Sequence, residues 1–216
     1  MHDLMRDGAT STLKKEEFAG ICTKQSNSVQ EMPRRMALQS KATDIPRTSL
    51  PLNARSFLKF CEDEFPSSLL YRTISDFKFL RVLDLEGSVI RNLPNEIGSL
   101  IHLRYLVLRG IRVVIFPESL QRLHNLQILD AWDCNVQTVP SGIIHLVQLR
   151  LILLDIKPFK MRRRMRSLSE LQTLPCAFAD DHLLGELADL KQVRVLGLTM
   201  LRGKLCRQLC DSISQL

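Results

Sequence analysis

Three prolines, Pro94, Pro117 and Pro140, stand at intervals of 23 residues, and that period governs the sequence around them. Aligned on the prolines, units beginning at Leu80, Leu103 and Leu126 set apolar residues at offsets 0, 3, 5, 8, 10, 13, 17 and 20. The first unit supplies Leu80, Leu83, Leu85, Ser88, Ile90, Leu93, Ile97 and Leu100. The second supplies Leu103, Leu106, Leu108, Ile111, Val113, Phe116, Leu120 and Leu123. The third supplies Leu126, Leu129, Ala131, Cys134, Val136, Val139, Ile143 and Leu146. Of these 24 positions 23 are apolar, where a hydrophobic content of 45% would place about 11. The pattern is a constraint on structure, not a by-product of composition.

Offsets 3 and 5 alternate as the inward positions of a short strand, with their neighbours facing out. After offset 8 the chain returns on the opposite side, and the later apolar positions plug the same core. One unit cannot bury such a face alone, so neighbours must stack. The expected fold is α/β: a right-handed leucine-rich-repeat solenoid, or horseshoe, with a parallel sheet on its concave face. A fourth unit starts at Leu149 with Ile152 and Leu154, then breaks at Pro158. A fifth starts at Leu171 with Leu174 and Cys176, and a sixth at Val193 with Leu196 and Leu198. Residues 80–216 therefore read as about six repeats of 22–23 residues, with a basic insertion at 157–166. The chain stops where a further unit would begin and shows no polar closing cap, which predicts truncation. Upstream, residues 34–79 read as irregular lead-in strands and first repeats, with strands at Met36–Leu38 and Phe57–Phe60. Residues 66–79 lead into the first regular unit.

Composition narrows the function classes. At 216 residues and 24.8 kDa the chain suits one domain, or one solenoid with a short extra piece. Its longest apolar stretches, such as Leu151–Leu154, are far too short to span a bilayer. The start, Met1–Asp7, lacks the apolar run of a secretory signal. Six scattered cysteines then read as reduced thiols in a cytoplasmic protein, with a nuclear location also open. The net charge is +7, but Lys157, Lys160, Arg162, Arg163, Arg164 and Arg166 contribute six of it. With only +1 left for the rest, a generally basic surface is not expected.

The repeat form Leu-x-x-Leu-x-Leu…Ile-x-x-Leu-Pro-x-x-Ile-x-x-Leu resembles two intracellular groups, the Ras-binding scaffold type and the plant coiled-coil nucleotide-binding leucine-rich-repeat disease resistance proteins. Met1-His2-Asp3 resembles the Met-His-Asp motif that closes the nucleotide-binding region of the plant proteins. Lys15–Phe18 and Arg34–Gln39 follow in that family's order, and Asp130-Ala131-Trp132 and Leu171–Leu174 resemble its grass members. The resemblance implies that residues 1–33 are a winged-helix remnant and linker. It also implies that His2 senses a nucleotide phosphate while Asp3 supports the local fold. The phosphate-binding loop is absent from this chain, so no cofactor is expected here, and ADP or ATP enters only with an upstream nucleotide-binding domain. Gly8–Thr12 replaces a usual apolar helix face and lowers helix propensity. The implied function is protein recognition in plant innate immunity. The partner would be a pathogen effector or guarded host protein, or the nucleotide-binding domain of a full-length receptor.

No enzyme or metal chemistry is expected. Gly197 to Gly203-Lys204 has the wrong spacing for a phosphate loop and lacks the hydroxyl after the lysine. Cys206 and Cys210 supply two thiols where a structural zinc needs four ligands. Asp180-Asp181-His182 lies in a degenerate loop without a paired nucleophile. His102, His124 and His145 fall at three different offsets and form no ladder. The outward strand positions are the better candidates: Glu86, Tyr105, Val107, Arg109, Ile128, Asp130, Trp132, Leu153 and Asp155. Trp, Tyr and Arg are the residue types most enriched at binding hot spots. Val107, Ile128, Leu151 and Leu153 would add an apolar patch. The basic run has Phe159 but no interleaved aromatics, so a solvated loop is expected there and nucleic acid is not the expected partner.

Overall fold

The computed structural model describes residues 20–22, 34–38, 53–59, 67–90, 92–111, 115–134, 136, 140–154, 165–199 and 201–214. Nine strands run through them: β1 (Gly20–Cys22), β2 (Arg35–Leu38), β3 (Ser56–Lys59), β4 (Val82–Asp84), β5 (Tyr105–Val107), β6 (Ile128–Ala131), β7 (Leu151–Leu154), β8 (Thr173–Phe178) and β9 (Val195–Thr199). They form one sheet in sequential order, and every neighbouring pair is parallel. The register keeps the repeat, since Leu83 pairs with Leu106, Leu106 with Leu129 and Leu129 with Ile152. This is the expected α/β leucine-rich-repeat solenoid.

Each turn is built from local chemistry. Gly87, Gly110 and Asp133 share offset 7, and all three have left-handed backbone, with φ of 67°, 70° and 57°. Glycine enters that region without a Cβ clash, and aspartate tolerates it better than most residues. Pro94, Pro117 and Pro140 then open short 3-10 helices at Asn95–Ser99, Glu118–Arg122 and Ser141–His145. Their carbonyls accept the amides of Ile97, Leu120 and Ile143, each at 3.1 Å. Proline has no N–H to leave unsatisfied at a helix start, which suits it to this place. The side opposite the sheet is close-packed, because a Cβ on Gly98 would lie 2.5 Å from the Ser119 carbonyl oxygen.

Offsets 0, 3 and 5 are the core: Leu80, Leu83, Leu85, Leu103, Leu106, Leu108, Leu126, Leu129 and Ala131 are all fully buried. At offset 8 the Cys134 thiol donates to the Leu108 carbonyl at 2.7 Å. Ser88, the polar exception to the pattern, is buried there with its hydroxyl unpartnered.

Four expectations change. Strand β1 lies inside residues 1–33 and pairs with β2, so Gly20–Cys22 belongs to the solenoid sheet rather than to a separate linker. Residues 66–79 hold an amphipathic helix, α1 (Ser67–Asp76), whose Leu70 and Ile74 are buried, with Phe77 just beyond it at 6.0 Å from the ring of Phe57. In the fifth unit Leu174 pairs with Leu196 but Ala177, not Cys176, pairs with Leu198. Pro175 cannot donate to a ladder, and the strand absorbs it in this irregularity. Finally, Asp181 and His182 lie in a helix, α2 (Asp181–Leu187), and Asp180 caps it, its carboxylate accepting the Leu183 amide at 2.8 Å. The last helix, α3 (Lys204–Ile213), packs against α2. His2, Asp3, Asp155 and residues 157–164 lie outside the described residues.

Candidate recognition surface

The strand face presents three rows at the spacing of adjacent strands, about 4.8 Å, two running across β4 to β7 and the third across β4 to β6. The first row is Val82, Tyr105, Ile128 and Leu151, in direct register. The second is Asp84, Val107, Asp130 and Leu153. The third follows the strand ends with Glu86, Arg109 and Trp132, whose order is kept by Gly87 and Gly110 amides donating to the carbonyls of Arg109 and Trp132. Eight of the nine outward residues expected from the sequence therefore share one face; Asp155 is the one outside the described residues.

Their exposure divides them. Trp132 is 43% exposed and Tyr105 37%, so two aromatic rings stand open on neighbouring strands. Glu86 and Arg109 are also exposed. Val107, Ile128, Leu151 and Leu153 are only half-exposed, shielded by their cross-strand neighbours, so the expected apolar patch is a shallow floor. Asp130 needs correction. It is 9% exposed and acts inside the surface rather than on it. Its Oδ2 accepts Arg109 Nη2 at 2.9 Å, and its Oδ1 accepts the Trp132 amide at 3.1 Å. One carboxylate thus fixes both the guanidinium and the backbone that carries the exposed indole.

Asp84 repeats the second of these bonds, with Oδ1 accepting the Glu86 amide at 3.0 Å. Such side-chain-to-backbone bonds two residues ahead stabilise a tight turn, and here each precedes a left-handed residue. Burial pushes the Asp84 carboxyl above its ordinary value, and the charges of Glu86 and Asp130 push the same way. The Glu86 amide and the Arg109 guanidinium oppose that rise.

A further row was not foreseen. Offset 1, just before each strand, carries Arg34, Arg55, Arg81, Arg104, Gln127, Arg150, Gln172 and Arg194, linked by a continuous backbone ladder. Each amide of this row donates to the carbonyl of the preceding one, at 2.6–2.8 Å. All six arginines are exposed. The signal was present at offset 1 of the aligned units from Arg81 onward, but the net-charge count averaged it against the acids of the whole chain.

Among the described residues no three His, Cys, Asp or Glu side chains converge on a metal-sized site. Cys206 and Cys210 are exposed on α3. Among the same residues no helix is long and apolar enough to cross a membrane.

Comparison with known proteins agrees with this architecture. Residues 53–216 match the family model described as leucine-rich repeat region. The chain is 34% identical over 139 residues to a disease resistance RPP13-like protein 3 of Arabidopsis thaliana, covering 61% of this chain and 16% of that one. It is 29% identical over 221 residues to disease resistance RPP13-like protein 4 of the same plant, covering 94% and 25%. The chain thus spans a quarter or less of the length of these relatives. Among solved structures, a leucine-rich repeat protein of Leptospira interrogans superposes with a TM-score of 0.63 at 18% identity, over 81% of this chain and 52% of that one.

Proposed function

We propose, from the premise that the chain belongs to the leucine-rich repeat region family in the form shared with plant disease resistance proteins, that its strand face is the protein-recognition surface of an intracellular immune receptor. The partner is a pathogen-derived protein or a host protein under guard, met in the cytoplasm. Leucine-rich-repeat folds serve generally as interaction scaffolds rather than enzymes. The observation that carries the reading is the exposed Trp132, held beside the Arg109–Asp130 pair, with Tyr105 open on the next strand. An indole and a phenol fixed on a rigid sheet lose little conformational entropy on binding, and such residues dominate interface energetics. His2 and Asp3 enter this reading only as part of a nucleotide-binding region carried by a full-length receptor.

The relatives favour this reading over a standalone scaffold of the Ras-binding type, since both named proteins are disease resistance proteins. The test is affinity selection of protein partners from pathogen-treated plant extract, followed by affinity measurement with Trp132→Ala. The substitution is expected to weaken a selected partner by roughly tenfold or more, in the range of a hot-spot truncation, with an unchanged circular dichroism spectrum. Unchanged affinity across every selected partner would remove the strand face from the reading.

A further inference from the structure

The arginine row and the acidic groups stand at opposite edges of the same face. Arg34, Arg55, Arg81 and Arg104 occupy four consecutive rungs, a continuous line of roughly 14 Å at strand spacing. Arg150 and Arg194 continue it with glutamines between. Among the described residues one carboxylate meets this row, Glu170, at 3.7 Å from Arg150. Beside the first rungs lies a groove of about 330 Å³ lined by Arg34, Asn53, Arg55, Phe79, Arg81 and His102. The Phe79 and His102 rings stack in it with centroids 6.1 Å apart.

Three to six residues further along the chain the sign reverses. Glu86 and Asp133 are exposed near the strand ends, with the half-buried Asp84 on β4 and the buried Asp130 beneath them, the nearest roughly 10 Å from the arginine row at strand rise. The one guanidinium among them, Arg109, is already engaged by Asp130. Between the two edges runs the half-exposed apolar row of Val82, Ile128 and Leu151. The face is therefore ordered basic, apolar, acidic across the strands. A uniform polyanion such as nucleic acid would gain at the first edge and be repelled at the other. A folded protein can match all three bands. Guanidinium groups, with their planar pairs of donors, suit carboxylates in particular.

We propose that Arg34, Arg55, Arg81 and Arg104 form a docking rim for an acidic strip on the protein partner, its carboxylates lying along the starts of the strands while its apolar groups rest on the floor beside them. The assignment rests on the reading of the strand face as a protein-binding surface and adds the partner's chemistry.

The test uses the full chain, a short fluorescein-labelled poly-glutamate peptide and a thymidine oligonucleotide of matching length, both followed by fluorescence anisotropy at low salt. The rim variant is Arg55→Gln with Arg81→Gln and Arg104→Gln. Glutamine already stands at Gln127 and Gln172 in the same row, so the fold accepts it. A control variant carries Arg122→Gln, Arg202→Gln and Arg207→Gln, which removes equal charge from exposed positions off the rim. The expected result is poly-glutamate binding that weakens about tenfold in the rim variant and little in the control, as loss of complementary charge requires. Binding of poly-glutamate that the rim variant leaves unchanged, or no binding at all, overturns the assignment. Tighter binding of the oligonucleotide through the same arginines also overturns it and makes the rim a nucleic-acid contact. Either failure leaves the Trp132→Ala result standing, so the rim and the strand-face reading fail separately.

Discussion

Asp84 sits where its surroundings resist ionisation, because burial, and after it the charges of two neighbouring carboxylates, raise its proton affinity. The folded chain therefore holds that proton more firmly than the unfolded chain does. Stability from this group is present at acidic pH and declines as pH rises through the raised folded value. The substitution Asp84→Asn would keep an oxygen acceptor for the Glu86 amide while removing the charge. The variant is expected to unfold at higher urea concentration than the parent at neutral pH, with the advantage shrinking toward acidic pH. Urea titrations at several pH values read this directly, and a constant difference across pH would contradict it. Cys134 makes the converse case for an inert group. Burial pushes its thiol up to about 11, and its proton is donated to the Leu108 carbonyl. Since the thiolate is the reactive form, iodoacetamide at mildly alkaline pH should label Cys206 and Cys210, exposed on α3, well before Cys134. Peptide mass mapping should find Cys134 modified only after denaturation.

At the scale of the repeat element, two glycines act by different physics. Gly110 has left-handed backbone and open space, the nearest atom to an added Cβ being 3.9 Å away. Gly110→Ala should then cost about 1–2 kcal/mol through backbone strain alone. Asp133 sits at the same offset without glycine's freedom, so Asp133→Gly should cost less than Gly110→Ala or stabilise. Gly98 has no such backbone demand but no room, so Gly98→Ala must displace the Ser119 carbonyl. Thermal melting of the three variants separates strain from crowding. These roles also show what sequence could carry. Leucines at offsets 0, 3 and 5 announced the strands because burial demands an apolar residue at every repeat. The left-handed turn was harder to see, since glycine and aspartate satisfy it by backbone geometry that hydropathy does not register. Strand β1 is only three residues long, too short to show a period, and is held by its neighbour β2, while the irregularity in β8 falls between Leu174 and Ala177, where Pro175 interrupts the count. On the strand face, Trp132 and Tyr105 were legible by alternation. Burial of Asp130 was not, because it depends on Arg109 reaching across from the preceding repeat.

Across the whole molecule, order depends on stacking, since each unit meets chiefly the units on either side. Interior units are covered twice. Leu106 and Leu129 are fully buried, whereas Leu196 and Leu198 on β9 are only partly buried, with no further strand beyond β9 among the described residues. Stability should therefore be graded along the solenoid rather than uniform. Amides such as Leu108, which donates to the Asp130 carbonyl at 2.7 Å, should exchange only through the largest openings. Amides of β9 should exchange first among the sheet strands from β5 onward. Leu106→Ala should cost about 2–5 kcal/mol, the range for a large-to-small change in a tight core. Its effect on exchange should reach β4 and β6, because both flanking strands lose a packing partner. Leu196→Ala, at a half-covered site, should cost less and leave β5 and β6 protected. Hydrogen exchange of the two variants measured by mass spectrometry decides the point. Equal loss of protection in both would mean the sheet opens as a single unit, and the strand face of β4 to β7 would then share the fate of its most exposed strand.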